Sequence, residues 1–332
     1  MLNSHRLVTA MALAMSATTA VPIGAGTTSL GAYNVDINAT SVSGLSSGAY
    51  FAVQMAVAFS STIVGGGIFA GGPYHCAKGS EMTALTTCMS ATPKPREPTY
   101  VQATSSAYAS GSIDDPAHMN KQRYYLFSGT KDTTVNPEVM VVLDEYLNEY
   151  TSEVASVFNL TAAHTQPTDN PANKNPCTLS ASPYLSDCNY DGAGEALNQI
   201  AGKPLQPRNN GDLTGSLETF DQTDFIVGKS MDKTGYVYVP ASCAAGDACT
   251  LHVSFHGCEQ GASSVGTAYV DGAGFNKWAD TNNIIVLYPQ VNCKFGIRAF
   301  VVYHRYYINI CINANKKYPP SCLGNNVLVK PQ

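Results

Sequence analysis

The pattern of apolar and polar residues predicts alternating strands and helices along most of the chain. Extended segments are predicted at 33–37 and 39–43, followed by a helix at 48–60 and a buried strand at 63–70. Strands are also predicted at 123–128 and 154–160, joined by a helix with Pro137 at its first position. This order predicts an α/β fold with a mostly parallel central sheet flanked by helices.

The later part of the chain continues this alternation after an irregular interruption. The segment 90–120 is rich in Pro, Ser, Thr and Ala and shows no clear period, which predicts a surface excursion with one short helix. Helices are predicted near 195–201 and 276–281, and strands are predicted at 235–240, 251–255 and 284–290.

Length and charge narrow the class of protein. The 332 residues are enough for one large domain or two small ones, and we expect a single catalytic domain over residues 27–290. Only 13% of the residues are charged and the formal net charge is −5, so neither nucleic acid nor an anionic membrane is expected as a partner. After the N-terminus no apolar run is long enough to span a bilayer, and we expect a monomer.

The N-terminus has the pattern of a secretory signal peptide. A positively charged start precedes an apolar stretch at 7–15 and small residues at 16–20, which predicts a signal at 1–20 with cleavage at about 20–26. The protein is therefore expected to be extracellular. Two sequons make Asn38 and Asn159 candidate glycosylation sites.

Ten cysteines agree with an oxidising compartment. Short spacing suggests three local disulfides, which are Cys76–Cys88, Cys177–Cys188 and Cys243–Cys249. The sequence does not determine the partners of the remaining four cysteines, Cys258, Cys293, Cys311 and Cys322. No C-x-x-C pair occurs that could complete a zinc site, so neither a metal nor a cofactor is expected.

A G-x-S-x-G motif, Gly44-Leu45-Ser46-Ser47-Gly48, lies between a predicted strand and a predicted helix. In that context the serine occupies a sharp turn that exposes its hydroxyl at the end of a sheet, and glycines on either side leave room for the turn. The motif alone is weak evidence in a chain rich in Gly and Ser, but its setting makes Ser46 a candidate nucleophile.

A serine nucleophile requires a base and a carboxylate that orients the base. Asp132 and His164 each follow a predicted strand, and the order Ser46, Asp132, His164 is that of α/β-hydrolases. Taken singly, Asp132 could be a turn residue and His164 a surface histidine. A structural hydrogen-bonding role is expected instead for His256.

The turn His256-Gly257-Cys258 ends a predicted strand and is a candidate for the oxyanion hole. Its donors are expected to be the backbone N–H groups of Ser47 and Cys258. In an ordinary α/β-hydrolase such strands precede the nucleophile, whereas here they follow it. The element order therefore predicts a circularly permuted α/β-hydrolase sheet.

Several motifs in this order resemble one family, the fungal-type extracellular polyhydroxybutyrate depolymerases. Besides the serine, Asp132, His164 and H-G-C motifs, the shared stretches lie at residues 69–74, 189–194, 235–240 and 277–283. The resemblance covers residues 33–290 and implies a single-domain, circularly permuted serine esterase. It implies Ser46, Asp132 and His164 as the triad and the N–H groups of Ser47 and Cys258 as the oxyanion hole.

The chain departs from this family after residue 290. The family continues into an Asn-Gly-Cys-Trp-Asp-Trp stretch, whose cysteine the resemblance pairs with the one in H-G-C. Here Cys293 is followed by Lys294-Phe295. These residues belong to a basic tail at 291–332 that contains no Asp or Glu. Such a break in composition favours a mistranslated segment over a folded replacement.

These observations predict a secreted serine esterase that hydrolyses poly(3-hydroxybutyrate) or related short-chain polyesters through an acyl-enzyme. Two alternatives stay open at this point. One is a secreted esterase for small or plant-derived esters, since a triad determines the reaction and not the acyl group. The other is a non-catalytic secreted protein whose site is left incomplete by the altered C-terminus.

Overall fold

One large sheet and one small sheet account for the strands of the computed structural model, which describes residues 29–223 and 231–291. The strands are β1 (Val35–Leu45), β2 (Ile63–Phe69), β3 (Arg123–Phe127), β4 (Val154–Val157), β5 (Gln166–Thr168), β6 (Asn175–Pro176), β7 (Leu185–Asp187), β8 (Ser216–Asp221), β9 (Thr234–Val239), β10 (Cys249–Phe255) and β11 (Ile284–Tyr288). Strands β5, β7 and β6 form the small sheet, and the other eight of these described strands form the large one.

Helices connect and cover the strands. They are α1 (Ser47–Ala58), α2 (Glu81–Thr83), α3 (Glu97–Ala109), α4 (Pro137–Asn148), α5 (Gly192–Ala201), α6 (Ala241–Ala244), α7 (Ala262–Val265), α8 (Ala268–Gly272) and α9 (Phe275–Asn282). A π-helical segment (Ala84–Ser90) continues from α2, and a 3₁₀ segment (Pro116–Lys121) leads into β3. No helix within the described residues is long and apolar enough to cross a membrane.

The large sheet has the strand order β4-β3-β2-β1-β10-β11-β9-β8. The six strands from β4 to β11 are parallel to their neighbours, whereas β9 runs antiparallel to both β11 and β8. The first half of the chain builds one side of the sheet outward from β1, and the second half builds the other side. This is the α/β-hydrolase sheet with its antiparallel edge late in the chain, which confirms the predicted permutation.

Helices lie on both faces of the large sheet. A Cβ atom at Gly67 of β2 would lie 2.7 Å from the Cβ of Ala196, so α5 packs on that face. The neighbouring Ile68 points the opposite way, as alternation along a strand requires, and lies near Ala49 of α1. Small residues at these contacts let both helices approach the sheet closely.

The segment 90–120 differs from its sequence-based prediction. It forms the thirteen-residue helix α3 and a 3₁₀ segment rather than an excursion with one short helix. Tyr100 and Thr104 of α3 are buried, and the Thr104 hydroxyl lies 2.7 Å from the Tyr146 hydroxyl of α4. Packing against α4 stabilises a helix whose own sequence has little periodicity.

Three disulfides join the cysteines that short spacing had paired: Cys76–Cys88, Cys177–Cys188 and Cys243–Cys249. The predicted signal peptide, the basic tail after residue 291, and Cys293, Cys311 and Cys322 lie outside the described residues. Both sequon asparagines are exposed, Asn38 as well as Asn159.

Candidate active site

Ser46 occupies the sharp turn between β1 and α1. Its backbone has φ 57° and ψ −121°, a conformation that non-glycine residues rarely adopt and that is concentrated at functional sites. The Ser46 N–H donates to the Phe69 carbonyl at 2.9 Å, which ties the turn to the end of β2. Ser46 follows the carboxyl end of β1 and is half-buried, which is the geometry of a nucleophile elbow.

The two motif glycines are required by close backbone approach. A Cβ atom at Gly44 would lie 2.4 Å from the carbonyl carbon of Gly48, on the far side of the turn. A Cβ atom at Gly48 would lie 2.2 Å from the Phe255 carbonyl oxygen of β10. Helix α1 therefore begins directly against the end of β10, and only glycine fits at either point.

Asp132 and His164 form a buried pair. The Nδ1–H of His164 donates to Oδ2 of Asp132 at 2.8 Å, with only 6% and 1% of the respective side chains exposed. The other carboxylate oxygen, Oδ1, accepts the N–H groups of Thr134 and Val135 at 2.8 and 2.9 Å. Because Oδ1 is held by the backbone, Oδ2 is aimed at the imidazole, and Nε2 is left as the basic nitrogen of the neutral ring.

The loops that carry this pair are joined through their backbones. Thr130 and Lys131 donate their N–H groups to the carbonyls of Leu160 and Ala162, both at 2.9 Å. Gly129 is needed at this crossing, since a Cβ atom there would lie 2.1 Å from the Ala162 carbonyl oxygen. The acid loop after β3 and the histidine loop after β4 thus form one unit. It lies at the same edge of the sheet as Ser46, where the carboxyl ends of parallel strands meet.

The predicted oxyanion turn lies directly beside the serine. A Cβ atom at Gly257 would be 3.4 Å from the Ser46 Cβ, and the Cys258 Sγ lies 3.3 Å from the Ser47 hydroxyl. The two residues predicted to supply N–H donors, Ser47 and Cys258, are therefore adjacent in space although 211 positions separate them in the chain.

Two other histidines near the site are buried and form structural hydrogen bonds. The ring of His252 lies between the hydroxyls of Ser41 and Ser43, each at 2.8 Å, and burial lowers its pKa to about 3. Burial likewise lowers the pKa of His256 to about 4. Neither imidazole is placed as a general base for Ser46, and for His256 this agrees with its expected structural role.

The structure also gives contacts to residues that sequence reasoning left without a role. Asp191 caps α5 by accepting the Gly194 N–H at 2.9 Å, and it binds Arg208 and the Trp278 indole N–H at 2.7 and 2.8 Å. This cluster joins α5 to α9. Gln260, just after the oxyanion turn, is 1% exposed and was also missed. Side-chain burial was the missing information, and no local pattern carries it.

The chain is similar to known polyester depolymerases. It is 46% identical over 278 residues to a polyhydroxybutyrate depolymerase from Talaromyces funiculosus, covering 82% of this chain and 80% of that protein. It is 42% identical over 269 residues to a poly(3-hydroxybutyrate) depolymerase from Delftia acidovorans, covering 79% of this chain and about half, 54%, of that protein. No protein-family model matches the chain.

Solved structures show the same likeness. The crystal structure of a PHB depolymerase from Penicillium funiculosum superposes with a TM-score of 0.74 at 45% identity, covering 80% of this chain and 83% of that one. A serine-to-alanine variant of a PHB depolymerase complexed with an R3HB trimer superposes with a TM-score of 0.73 at 38% identity. That match covers 86% of this chain and 99% of the other.

Proposed function

The chain belongs to the polyhydroxybutyrate depolymerases, and from this premise we propose that Ser46, His164 and Asp132 hydrolyse the polyester through an acyl-enzyme. Members of this family are carboxylic ester hydrolases, and the ester bonds of polyhydroxybutyrate are the substrate. The observation that carries the residue assignment is the buried bond between Asp132 and His164, at the edge of the sheet where Ser46 is held in a strained turn.

In the first half-reaction His164 Nε2 takes the proton of the Ser46 hydroxyl as its oxygen attacks the ester carbonyl carbon. Negative charge then develops on the former carbonyl oxygen, which the N–H groups of Ser47 and Cys258 stabilise. The tetrahedral intermediate collapses, His164 returns the proton to the leaving oxygen, and the shortened polymer departs with a free hydroxyl end. Asp132 stabilises the imidazolium and remains ionised.

In the second half-reaction water replaces the alcohol. His164 removes one proton from the water as its oxygen attacks the acyl carbon, and the same two N–H groups receive the charge. Collapse breaks the bond to the Ser46 oxygen, and the proton returns to that oxygen from His164. The products are a carboxylic acid end and the regenerated enzyme.

Action outside the cell is the second part of the proposal. The signal-like pattern over residues 1–20, three disulfides and two exposed sequon asparagines all favour an extracellular enzyme. Polymer outside the cell is too large to enter it, so an enzyme that degrades such material has to be exported.

Ser46→Ala is the substitution that tests the assignment. The variant should fold like the wild type and lose about 10⁵–10⁶-fold in kcat, because the nucleophile is removed while the turn keeps its backbone. Clearing of an opaque poly(3-hydroxybutyrate) suspension and hydrolysis of short p-nitrophenyl esters are the measurements. A fluorophosphonate probe should label the wild type at Ser46 and leave the variant unlabelled.

Each other outcome of this experiment contradicts part of the proposal. Hydrolysis of small esters without clearing of the polymer would assign the site to small esters. Absence of both activities and of labelling in the wild type would make the protein non-catalytic. Activity retained in the variant would reject Ser46 as the nucleophile.

A further inference from the structure

Two buried side chains form hydrogen bonds to the turn that carries the predicted oxyanion donor. Gln260 accepts the Gly257 N–H at 2.7 Å through Oε1 and donates through Nε2 to the carbonyls of Pro183 and Tyr184, at 2.9 and 3.2 Å. The Gly257 N–H is therefore already engaged. The N–H of Cys258 is the next amide of the turn that can face an oxyanion beside Ser46.

His256 acts on the other side of the same turn. The Val291 N–H donates to Nε2 of His256 at 3.1 Å, so in the neutral ring the hydrogen is on Nδ1. Nδ1 lies 2.7 Å from the Gly257 carbonyl oxygen and donates to it. The backbone N–H of Gln260 donates to the same oxygen at 3.3 Å.

The Gly257 carbonyl and the Cys258 N–H belong to one peptide unit. That unit is trans and planar, so its C=O and N–H bonds point in opposite directions. Donors that hold the carbonyl oxygen thereby determine where the Cys258 N–H points. They also polarise the peptide, which strengthens its N–H as a donor.

We propose that Gln260, which holds the Gly257 N–H, and His256, which holds the Gly257 carbonyl, are positioning residues that fix the peptides on either side of Gly257, so that the Cys258 N–H faces the oxyanion formed at Ser46. This inference rests on the proposed function, because it assumes the acyl-enzyme reaction at Ser46. Its consequence is that losing either side chain weakens binding of the transition state and leaves binding of the substrate ground state nearly unchanged.

The chain offers a matched control for Gln260. Gln122 is also 1% exposed, and its amide also makes three hydrogen bonds, two from Nε2 to the carbonyls of Ala56 and Ile63 and one to Oε1 from the Tyr124 hydroxyl. It lies immediately before β3, at the amino end of the sheet and away from Ser46. Methionine at either position keeps the side-chain length and removes all three bonds.

Gln260→Met should lower kcat for a short p-nitrophenyl ester by about 10–10²-fold with KM within about twofold, less than the 10²–10³-fold typical of removing an oxyanion donor outright. An alkylboronic acid, whose boron becomes tetrahedral on bonding the Ser46 oxygen, should bind more weakly by the same factor as kcat/KM falls. Gln122→Met should lower the melting temperature to a similar extent while kcat and boronate affinity stay near wild type.

A second pair of variants keeps the test valid if Gln260→Met does not fold. His256→Asn retains an N–H donor near the position of Nδ1, whereas His256→Leu has nearly the same shape without one, and both lose the Val291 bond. The leucine variant should have a kcat about 10–10²-fold below that of the asparagine variant.

The inference is overturned if Gln260→Met keeps its kcat, if it loses activity only to the extent that Gln122→Met does, or if KM alone changes. Equal kcat values in the two His256 variants would also overturn it. These outcomes are distinct from failure of the proposed function, because Ser46→Ala would still be inactive and the wild type would still be labelled by the fluorophosphonate.

Discussion

At the scale of single residues, the two oxygens of Asp132 have different partners, and this difference gives the carboxylate its direction. Oδ1 is held by the N–H groups of Thr134 and Val135, and Oδ2 faces His164. An amide at this position must keep its oxygen on the backbone donors, since its NH₂ group cannot accept them. Its NH₂ group would then face the imidazole.

Asp132→Asn is expected to lower kcat by about 10⁴-fold with little change in KM. The asparagine NH₂ would donate to Nδ1 of His164, which places the ring hydrogen on Nε2. A protonated Nε2 cannot accept the proton of the serine hydroxyl. Ester hydrolysis measured at saturating substrate is the test, with Asp144→Asn on α4 as the control for loss of a carboxylate elsewhere. A loss smaller than tenfold would show that the pair does not orient the base.

At the scale of elements, α1 starts at the serine turn and packs against the end of β10. Eleven of its twelve residues are buried, and Phe51 meets Phe255 edge-on with ring centroids 4.7 Å apart. The helix begins at Ser47, immediately after the proposed nucleophile Ser46, so a shift of α1 would move the turn that carries this serine. At Gly48 the backbones of this helix and of β10 lie so close that a Cβ atom would overlap the Phe255 carbonyl.

Gly48→Ala should destabilise the protein by about 3 kcal/mol or more and reduce activity at the same time. Alanine favours a helix by about 1 kcal/mol over glycine, but the added Cβ would overlap the Phe255 carbonyl and the clash outweighs this gain. Urea unfolding together with kcat measures both effects.

Gly211→Ala is the control for Gly48→Ala. A Cβ atom at Gly211 would make only an ordinary contact, 3.5 Å from Asn209 Oδ1, and a change within about 0.5 kcal/mol is expected. Wild-type stability and activity in Gly48→Ala would mean that the close approach of α1 to β10 is not needed.

At the scale of the whole molecule, two neutral histidines are buried in or next to the central sheet. The pKa of His252 is lowered to about 3 and that of His256 to about 4, in both cases by burial. In the unfolded chain each ring binds a proton near its ordinary pKa of 6.5. The stability due to the neutral rings is therefore complete above pH 6.5 and is lost as the pH falls toward 4 and then 3.

The free energy of unfolding should accordingly fall with decreasing pH, each histidine adding a slope of about 1.4 kcal/mol per pH unit once the unfolded ring is protonated. His252→Gln keeps polar contacts near Ser41 and Ser43 and removes one of these protons, so its curve should be flatter between pH 6 and 4. Chemical denaturation over this range is the measurement. A curve for His252→Gln that runs parallel to that of the wild type would contradict this prediction.

The local features of the site could be predicted from the sequence. Ser46, Asp132 and His164 each follow a strand whose apolar run is visible in the chain, and the steric need for glycine at Gly44 arises within five residues. The short disulfide loops, such as Cys243–Cys249, are local in the same way. Features of this kind are determined by residues close together in the chain, so the pattern of residue types reveals them.

Features that depend on distant segments could not be predicted. Helix α3 forms because Tyr100 and Thr104 find a buried place against α4, and its own polar composition gives no sign of this. Gln260 is an unremarkable glutamine in the sequence, and only the meeting of its turn with the carbonyls of Pro183 and Tyr184 gives it three partners.

The sequence by itself thus determined the fold class, the turn at Ser46 and the order of the three candidate catalytic residues, because strand periodicity and the steric limit at Gly44 act over a few neighbouring positions. Only the tertiary structure decided which carboxylate oxygen faces His164 and which side chains hold the oxyanion turn. These choices depend on burial and hydrogen-bond direction between segments up to 77 positions apart, which no local pattern encodes.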